Sequence, residues 1–296
     1  MTTTDTLDPW KQTFAGITMM CAGVALLCVN DALAKTLIET YSPLQILFLR
    51  NSLALPFAFV LALAMGGTAG LRTYRPQAHA LRGVLWICAT ISFFTGLKYL
   101  GLAEATALVF AAPVFITALS AILLRERVGW RRWLAVLVGL GGVIIVVRPG
   151  GATFQTASLL PIATAFLYAL LMISARWVDK RESVWTLLFY LTATSAVMSG
   201  VIVPFVWIGV RAQDIWLFLG VATFGTGGIT LITQAFRFAP AAVVAPMDYT
   251  ALIWATALGW LIWHEIPDAA TYLGAGVIIA SGVYIVLRER RLSRRG

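Results

Sequence analysis

The chain has 296 residues, of which 60% are hydrophobic and 12% charged, whereas an ordinary soluble domain is about 45–50% apolar and about 25% charged. Its 22 basic and 13 acidic residues cannot cover several soluble domains, which excludes a water-soluble fold and predicts a lipid bilayer as its environment. The net charge of +9 would suggest a nucleic-acid partner in a soluble protein. Cys21, Cys28 and Cys88 lie in apolar stretches without the spacing of a disulfide framework or a zinc site.

Ten apolar runs are long enough to cross a bilayer as helices, which requires about 20 residues at a rise of about 1.5 Å each. Strands are disfavoured because the runs are continuously apolar rather than alternating. The predicted fold class is therefore an all-α polytopic membrane protein with ten transmembrane helices. The predicted spans are 12–34, 43–66, 79–99, 103–124, 131–147, 158–176, 183–208, 213–236, 240–262 and 268–287.

The two halves of the sequence resemble each other at an offset of about 140 residues, which indicates a duplicated unit of five helices. Ser42 recurs as Ser183, for example, and Glu126 recurs as Glu265. Because five is odd, the second copy enters the membrane from the opposite side, so the copies are inverted repeats. Such repeats give one packing open to each side of the membrane, as alternating access requires. The predicted organisation is a cytoplasmic N-terminus (1–11), a first repeat (12–147), a connecting loop (148–157), a second repeat (158–287) and a basic cytoplasmic tail (288–296).

The basic residues predict the orientation of the chain. With the N-terminus in the cytoplasm, 17 of the 22 Lys and Arg residues fall on the cytoplasmic side, four fall on the other side, and Arg50 lies inside the second span. The positive-inside rule then favours a cytoplasmic location for both termini. The basic tail after Leu287 would lie against anionic lipid headgroups, which explains much of the net charge without nucleic acid.

The two halves carry similar residues in and after their fourth spans. The first copy has Ala103-Glu104-Ala105, Pro113 and Leu123-Leu124-Arg125-Glu126, and the second has Pro246, His264-Glu265 and Leu273-Gly274. These residues resemble the EamA-like branch of the drug/metabolite transporter superfamily, whose members have ten helices arising from a duplicated five-helix unit. The resemblance covers about residues 14 to 287. It implies a transporter of the bacterial inner membrane, most similar to exporters of aromatic and other neutral amino acids, with helices three, four, eight and nine lining a central cavity.

One departure from related proteins is visible in the first helix. Small multidrug relatives use a membrane-embedded glutamate there for proton exchange. In this chain the middle of the first helix reads Met19-Met20-Cys21-Ala22 and has no carboxylate. Proton-coupled export of cations by that mechanism is therefore not expected.

Three of the ionisable residues within predicted spans are candidates for function, because charge is costly inside a membrane. Asp31 and Arg50 lie at similar depths near the outer ends of spans one and two. They are expected either to form a buried strut completed by Asn30 and Asn51, or to contact substrate. Asp248 lies about 12 Å deep in span nine, with no basic residue near it in that span. It is expected either to attract a substrate ammonium group or a proton, or to be a hydrogen-bonded core residue.

Aromatic residues in the expected lining helices are candidates for an apolar cage around a substrate side chain, which would bind by burial of area and by stacking. Core packing is the alternative for each of them. Together with Asp248, the predicted substrate-binding residues are Trp86, Phe94, Phe110, Tyr168, Tyr249 and Trp254.

Four further residues are candidates for gating or structural roles. Pro113 and Pro246 each remove a backbone donor within a span, and each predicts either a packing kink or a bend that assists gating. His79 and Tyr99 lie at opposite ends of the third span. His79 is expected either at headgroup level or in a gate on the cytoplasmic side.

The predicted function is export of small metabolites, neutral or aromatic amino acids above all, by alternating access. A permease for a nucleoside, sugar or drug is an alternative within transport. An intramembrane enzyme is disfavoured because no catalytic motif occurs, and a scaffold or receptor without throughput is the remaining alternative. The predicted partners are a small-molecule substrate and the lipid bilayer, without cofactor, metal or nucleic acid, and the chain is expected to be a monomer or a weak homodimer.

Overall fold

The structure is a computed structural model that describes residues 9–125, 129–148, 155–178, 181–239 and 244–293. Within these ranges, its regular structure consists of helices and contains no strand. Several predicted features lie outside the described residues. These are residues 1–8 of the N-terminal segment, Glu126, residues 149–154 of the connecting loop, and residues 294–296 of the tail.

Eleven α-helices account for most of the described chain. They are α1 (Pro9–Leu37), α2 (Pro43–Gly66), α3 (Pro76–Leu97), α4 (Leu102–Val109), α5 (Ala112–Leu123), α6 (Trp130–Val147), α7 (Leu159–Ser174), α8 (Val184–Ile202), α9 (Ile215–Phe238), α10 (Ala251–Trp263) and α11 (Ala269–Ser293). Short 3-10 turns extend several of them, including Val203–Val206 after α8 and Ala245–Thr250 before α10.

Seven helical stretches in the described part of the chain are long and apolar enough to cross a membrane. They are Gln12–Leu37, Pro43–Gly66, Pro76–Leu97, Leu102–Leu123, Thr156–Ser174, Val184–Val206 and Ala212–Phe236. Shorter apolar helices occupy Trp133–Val147 and Ala269–Ile285. The predicted all-α class is therefore confirmed, with helices of the length and composition that membrane proteins require.

The N-termini of α2 and α8 are formed in the same way. Ser42 precedes α2, and its hydroxyl accepts a hydrogen bond of 3.2 Å from the backbone N–H of Gln45. Ser183 precedes α8 and accepts a bond of 3.1 Å from the N–H of Thr186. A serine at this position satisfies a backbone donor that the first helical turn leaves unpaired. The recurrence of Ser42 as Ser183 thus has a structural counterpart.

The fourth span and the described part of the ninth are interrupted near the two prolines for which the sequence predicted a kink or a bend. Between α4 and α5 the chain makes a turn at Phe110 and Ala111, and Pro113 lies in the first turn of α5. Proline is tolerated at this position because the first N–H groups of a helix have no intrahelical acceptor. Pro246 likewise lies at the start of the 3-10 turn Ala245–Thr250, and α10 begins only at Ala251.

Helices far apart in sequence form the main packing pairs. α1 packs along α9, α2 along α8, α3 along α7, α4 against α10, and α6 along α11. Glycines permit the closest approaches: a Cβ added to Gly23 would lie 2.8 Å from the carbonyl oxygen of Gly228, and one added to Gly142 would lie 2.9 Å from that of Gly274. Small residues at such crossings let helices pack where lipid offers no hydrophobic driving force.

The molecule has two faces at the ends of these helices. We call the terminal face the side on which α1 begins and α11 ends, and the opposite face the side on which α1 ends and α11 begins. Hydrogen bonds bring the C-terminal ends of α1, α3 and α10 together with the start of α4 at the opposite face. The start of α3 meets the start of α8 at the terminal face.

Candidate functional site

A large cavity lies at the opposite face. Its volume of about 750 Å³ is within the range of about 300–1,000 Å³ that ligand sites occupy. The ends of α1, α3, α6 and α10 and the beginnings of α4 and α11 form its wall. The polar and aromatic residues that line this opposite-face cavity include Lys35, Glu39, Lys98, Tyr99, Glu104, Arg148, Trp263, Glu265 and Asp268.

Lys35 occupies the wall of the opposite-face cavity and is held from three directions. Its Nζ lies 2.6 Å and 2.7 Å from the two carboxylate oxygens of Glu265, and it donates a bond of 3.2 Å to the carbonyl of Leu100. The ring of Trp263 lies 4.7 Å from the same nitrogen, which adds a cation–π contact. Lys35 therefore joins the end of α1 to the end of α10.

The end of α10 determines where Glu265 points. His264 adopts a left-handed conformation with φ of 57°, and the N–H of Glu265 then bonds to the carbonyl of Gly259 at 3.1 Å. Such a reversal ends a helix and turns the next side chain away from its axis. The carboxylate of Glu265 reaches both Lys35 and the N–H of Leu102, which lies 3.3 Å away in the first turn of α4.

A second pair of oppositely charged residues, Arg148 and Asp268, lines the opposite-face cavity. Arg148, in a left-handed conformation at the end of α6, donates a hydrogen bond to Asp268, which precedes α11. Hydrogen bonds from the N–H and hydroxyl of Thr271 lower the pKa of Asp268 below its ordinary value, and Arg148 lowers it further. Glu104 also lines the cavity from the first turn of α4, and Tyr99 is exposed to it. The cavity is thus lined by charges of both signs.

Arg50 is buried within α2, and its side chain is 8% exposed. Its guanidinium lies 5.7 Å from the ring of Trp86, and both residues line a second cavity of about 30 Å³. Asp31 is near enough for its charge to act on Arg50, yet no ion pair within 4.0 Å joins these two described residues. Asp31 instead accepts a bond of 2.8 Å from Asn30. The two charges are neighbours without forming the direct strut that was one of the two expectations.

Asp248 lies in the 3-10 turn before α10 rather than within a regular α-helix. Its side chain is exposed, and it is near enough to act electrostatically on the hydroxyls of Tyr168 and Tyr249. The ring of Tyr249 packs edge-to-face on that of Phe110, with 5.1 Å between centroids. The structure therefore brings together four of the predicted substrate-binding residues.

The other predicted residues lie elsewhere. Phe94 is fully buried in the main hydrophobic core, and Trp254 is 43% exposed on α10. Tyr99 belongs to the opposite-face cavity. Pro113 and Pro246 mark the two interrupted spans, and the side chain of Pro246 is outside the described part of the structure.

A polar cluster around the buried pair of His79 and Glu182 lies at the terminal face. Nε2 of His79 lies 2.6 Å from Glu182, whose carboxylate also accepts bonds of 2.8 Å from the N–H of Tyr74 and 3.1 Å from the hydroxyl of Thr73. The ring of Tyr190 lies 4.7 Å from that of His79. Burial raises the pKa of Glu182, but its hydrogen bonds outweigh burial and hold the pKa below the ordinary value. We call these five residues the terminal-face cluster.

Comparison with known proteins identifies the family. The EamA-like transporter family matches residues 12–148 and 155–288, which together are most of the sequence. The chain belongs to the EamA-like transporter family. It is therefore a multi-pass membrane transporter of a family with bacterial members, as the resemblance in the fourth spans predicted.

Curated relatives in this family carry different solutes. The chain is 27% identical to an S-adenosylmethionine uptake transporter of Rickettsia prowazekii, with 96% of each chain covered. It is 28% identical to a riboflavin transporter of Vibrio cholerae over 94% of each chain, and 27% identical to the pseudopaline exporter CntI of Pseudomonas aeruginosa over 90% and 91%. None of these three is named as an amino-acid exporter, so the amino-acid substrate stays a prediction.

A solved crystal structure shows the same fold. It matches with a TM-score of 0.63 and 20% sequence identity, over 96% of this chain and 99% of the other. At this identity the likeness concerns the fold alone.

Sequence reasoning missed the charged lining of the opposite-face cavity. Lys35 and Arg148 were counted only as charges outside the membrane, and Glu104 and Glu265 only as family residues. A signal was present, since residues of opposite charge lie at the ends of spans that meet on one side. No group of three metal-ligating side chains occurs within the ranges that the structure describes.

Proposed function

We propose that this protein is an alternating-access permease of the plasma membrane that exports small metabolites with an amino-acid head group, among them neutral and aromatic amino acids. It has ten spans arranged as two inverted halves, and both of its termini are cytoplasmic. The observation that carries the proposal is the contrast between its two faces, a charged cavity of about 750 Å³ at one and the polar cluster around His79 and Glu182 at the other.

Helix packing supports the inverted halves. With α4 and α5 taken together as one span, α1 to α6 correspond in order to α7 to α11. Under this correspondence α1 matches α7 and α3 matches α9, so the contacts α1–α9 and α3–α7 are equivalent. The contacts α2–α8, α4–α10 and α6–α11 each join a span to its own counterpart. The matching serine caps Ser42 and Ser183 and the interruption of both fourth spans support the same duplication.

The two faces support a conformational assignment. Because the basic residues favour a cytoplasmic terminal face, the opposite-face cavity opens away from the cytoplasm. The terminal-face cluster joins α3 to the segment before α8, which belong to different halves of the proposed repeat. We assign this arrangement to an outward-open state in which His79 and Glu182 form part of a closed cytoplasmic gate.

The central residues support an amino-acid head group as substrate. Asp31 and Asp248 are carboxylates within the membrane that could attract an ammonium group, and Arg50 is a cation that could attract a carboxylate. Tyr249 and Phe110 offer aromatic surface close to Asp248. S-adenosylmethionine, the solute named for the Rickettsia relative, is itself a derivative of the amino acid methionine.

A second candidate is uptake of a nucleoside-like or flavin-like solute. The names of the Rickettsia and Vibrio relatives favour it, since they carry S-adenosylmethionine and riboflavin. The two candidates differ in the solute and in the direction of net flux.

The test is a counterflow screen with purified protein in proteoliposomes. Liposomes are loaded with unlabelled solute, and uptake of the radiolabelled solute is followed with and without a pH gradient. The panel contains phenylalanine, tryptophan, leucine, S-adenosylmethionine and riboflavin. Counterflow of an amino acid supports the proposal, counterflow of S-adenosylmethionine or riboflavin alone supports the second candidate, and absence of all counterflow rejects both.

A further inference from the structure

We infer that Arg50 and Asn51 form a subsite for the carboxylate of the transported solute, within the small cavity between α2, α3, α8 and α9. This inference rests on the proposed function and deepens it, because it names the group on the solute that the protein recognises. It begins from hydrogen-bond donors that lack acceptors.

Arg50 has no hydrogen-bond acceptor and no ion-pair partner among the described residues, although a guanidinium group carries five N–H donors. Buried cations are almost always paired, because removing a charge from water is costly. The other buried cations among the described residues do make hydrogen bonds: Lys35 binds Glu265, and Arg82 donates to Leu171 and Ser174, although its Nε has no partner. Arg50 is the exception within the described part of the chain.

Asn51 repeats the pattern on the next residue of α2. Its side chain is 5% exposed, and its Nδ2 has no hydrogen-bond partner. Arg50 and Asn51 both line the cavity of about 30 Å³, and the remaining wall is mostly apolar. Thr192, also in the wall, uses its hydroxyl as a donor to Leu188 within its own helix. Arg50 and Asn51 therefore bring hydrogen-bond donors without bonded acceptors to this cavity, which suits an anionic oxygen.

The size of the cavity limits the group it can hold. A volume of about 30 Å³ admits one or two waters, which is the scale of a carboxylate rather than of a whole solute. A planar guanidinium binds carboxylates through two parallel hydrogen bonds. Gly225 allows the guanidinium into position, since a Cβ there would lie 3.1 Å from Nε and 3.2 Å from Nη2 of Arg50.

Asp31 makes the subsite suited to a zwitterion rather than to a simple anion. Its carboxylate is near Arg50 without a direct ion pair, so each charge retains capacity for another partner. An amino-acid head group carries an ammonium and a carboxylate on the same carbon. Its carboxylate would bind Arg50 and its ammonium would bind Asp31, so that each of these side chains would gain a partner of opposite charge.

The experiment compares recognition of acid and amide. Counterflow of labelled phenylalanine is measured with unlabelled phenylalanine or phenylalaninamide as competitor, since the amide keeps the ammonium and the ring but has no carboxylate. In the wild-type protein we expect the amide to compete about 10- to 100-fold more weakly, the loss of charge-assisted hydrogen bonds. In Arg50→Gln we expect this ratio to fall to within about threefold of unity.

Two further variants keep the result decisive. Arg211→Gln removes an exposed arginine and should keep the wild-type ratio. Arg50→Lys retains the charge without the planar fork, and it should reduce the ratio severalfold even if Arg50→Gln does not fold. An unchanged ratio in every folded Arg50 variant would overturn the inference while leaving transport of amino acids intact.

The remaining outcomes are also decisive. If the wild-type protein moves no amino acid, the proposed function fails and the inference fails with it. Replacing chloride on both sides with methanesulfonate, which has no carboxylate, should leave counterflow unchanged. If counterflow requires chloride, Arg50 and Asn51 bind an inorganic anion instead, and the carboxylate assignment is wrong.

Discussion

The ion pair between Lys35 and Glu265 should contribute measurably to the stability of the folded protein. The Lys35 side chain is 9% exposed and that of Glu265 is 36% exposed. Breaking a fully buried pair costs about 3–5 kcal/mol, and an exposed pair contributes less than about 1 kcal/mol. For one buried and one partly exposed partner we expect Glu265→Gln to cost about 1–3 kcal/mol, because the ammonium of Lys35 is left without a counter-charge.

The assay is a double-mutant cycle on purified protein in detergent micelles, with unfolding followed by tryptophan fluorescence. Lys35→Gln, Glu265→Gln and the double variant are compared with wild type, and we expect a coupling free energy of about 1–2 kcal/mol. Lys98→Gln is the matched control, since Lys98 also lines the opposite-face cavity but is exposed. Equal effects of the two lysine variants, or a coupling of zero, would refute the reasoning.

Three further predictions concern other parts of the molecule. Because hydrogen bonds lower the pKa of Glu182 from its ordinary value of 4.5, its carboxylate stabilises the fold above that pH and loses this effect as pH falls through the lowered pKa. The difference in unfolding temperature between wild type and Glu182→Gln should therefore shrink from neutral to acid pH, and a constant difference would contradict the stabilising role of the hydrogen bonds that Tyr74, His79 and Thr73 make to this carboxylate. Gly142→Ala should cost about 1–3 kcal/mol of unfolding free energy, because its Cβ would lie 2.8 Å from a side-chain carbon of α11. Gly141→Ala, which meets nothing within 4 Å, should be neutral or stabilise by up to about 1 kcal/mol, and equal effects of the two would count against the packing argument. Asp248→Asn should alter counterflow or its pH dependence more than it alters unfolding temperature, and unchanged flux at every pH would reject a functional role.

The helices could be predicted from the sequence because length and apolar composition alone define a membrane span. The ends of the helices differ from the predicted ends. The first span was predicted to end at residue 34, but α1 continues to Leu37, so Lys35 belongs to its last turn rather than to a loop. The interruption at Phe110 could not be placed, since a proline three residues later is compatible with a bend or with a break. The local sequence shows where a helix can end or bend, but tertiary packing decides whether it does.

The functional residues divide in a similar way. The sequence predicted Asp31 and Arg50 at similar depths in the membrane, because helical rise converts sequence position into distance along the membrane normal. It could not tell whether the two would form a direct ion pair, which depends on side-chain rotamers. The aromatic residues were harder to assign. Phe94 and Trp254 lie in mostly apolar segments, where the sequence pattern does not separate a buried side chain from one that faces outward.

The contact between Phe110 and Tyr249 has a mechanical consequence. Phe110 lies in the turn that interrupts the fourth span, and Tyr249 lies in the 3-10 turn before α10, so their edge-to-face contact joins the two interrupted spans. A span that is interrupted near a proline lacks part of the helical hydrogen-bond ladder and bends more readily than a regular helix. In the proposed alternating-access cycle, the two rings would couple a bend in one of these spans to a bend in the other.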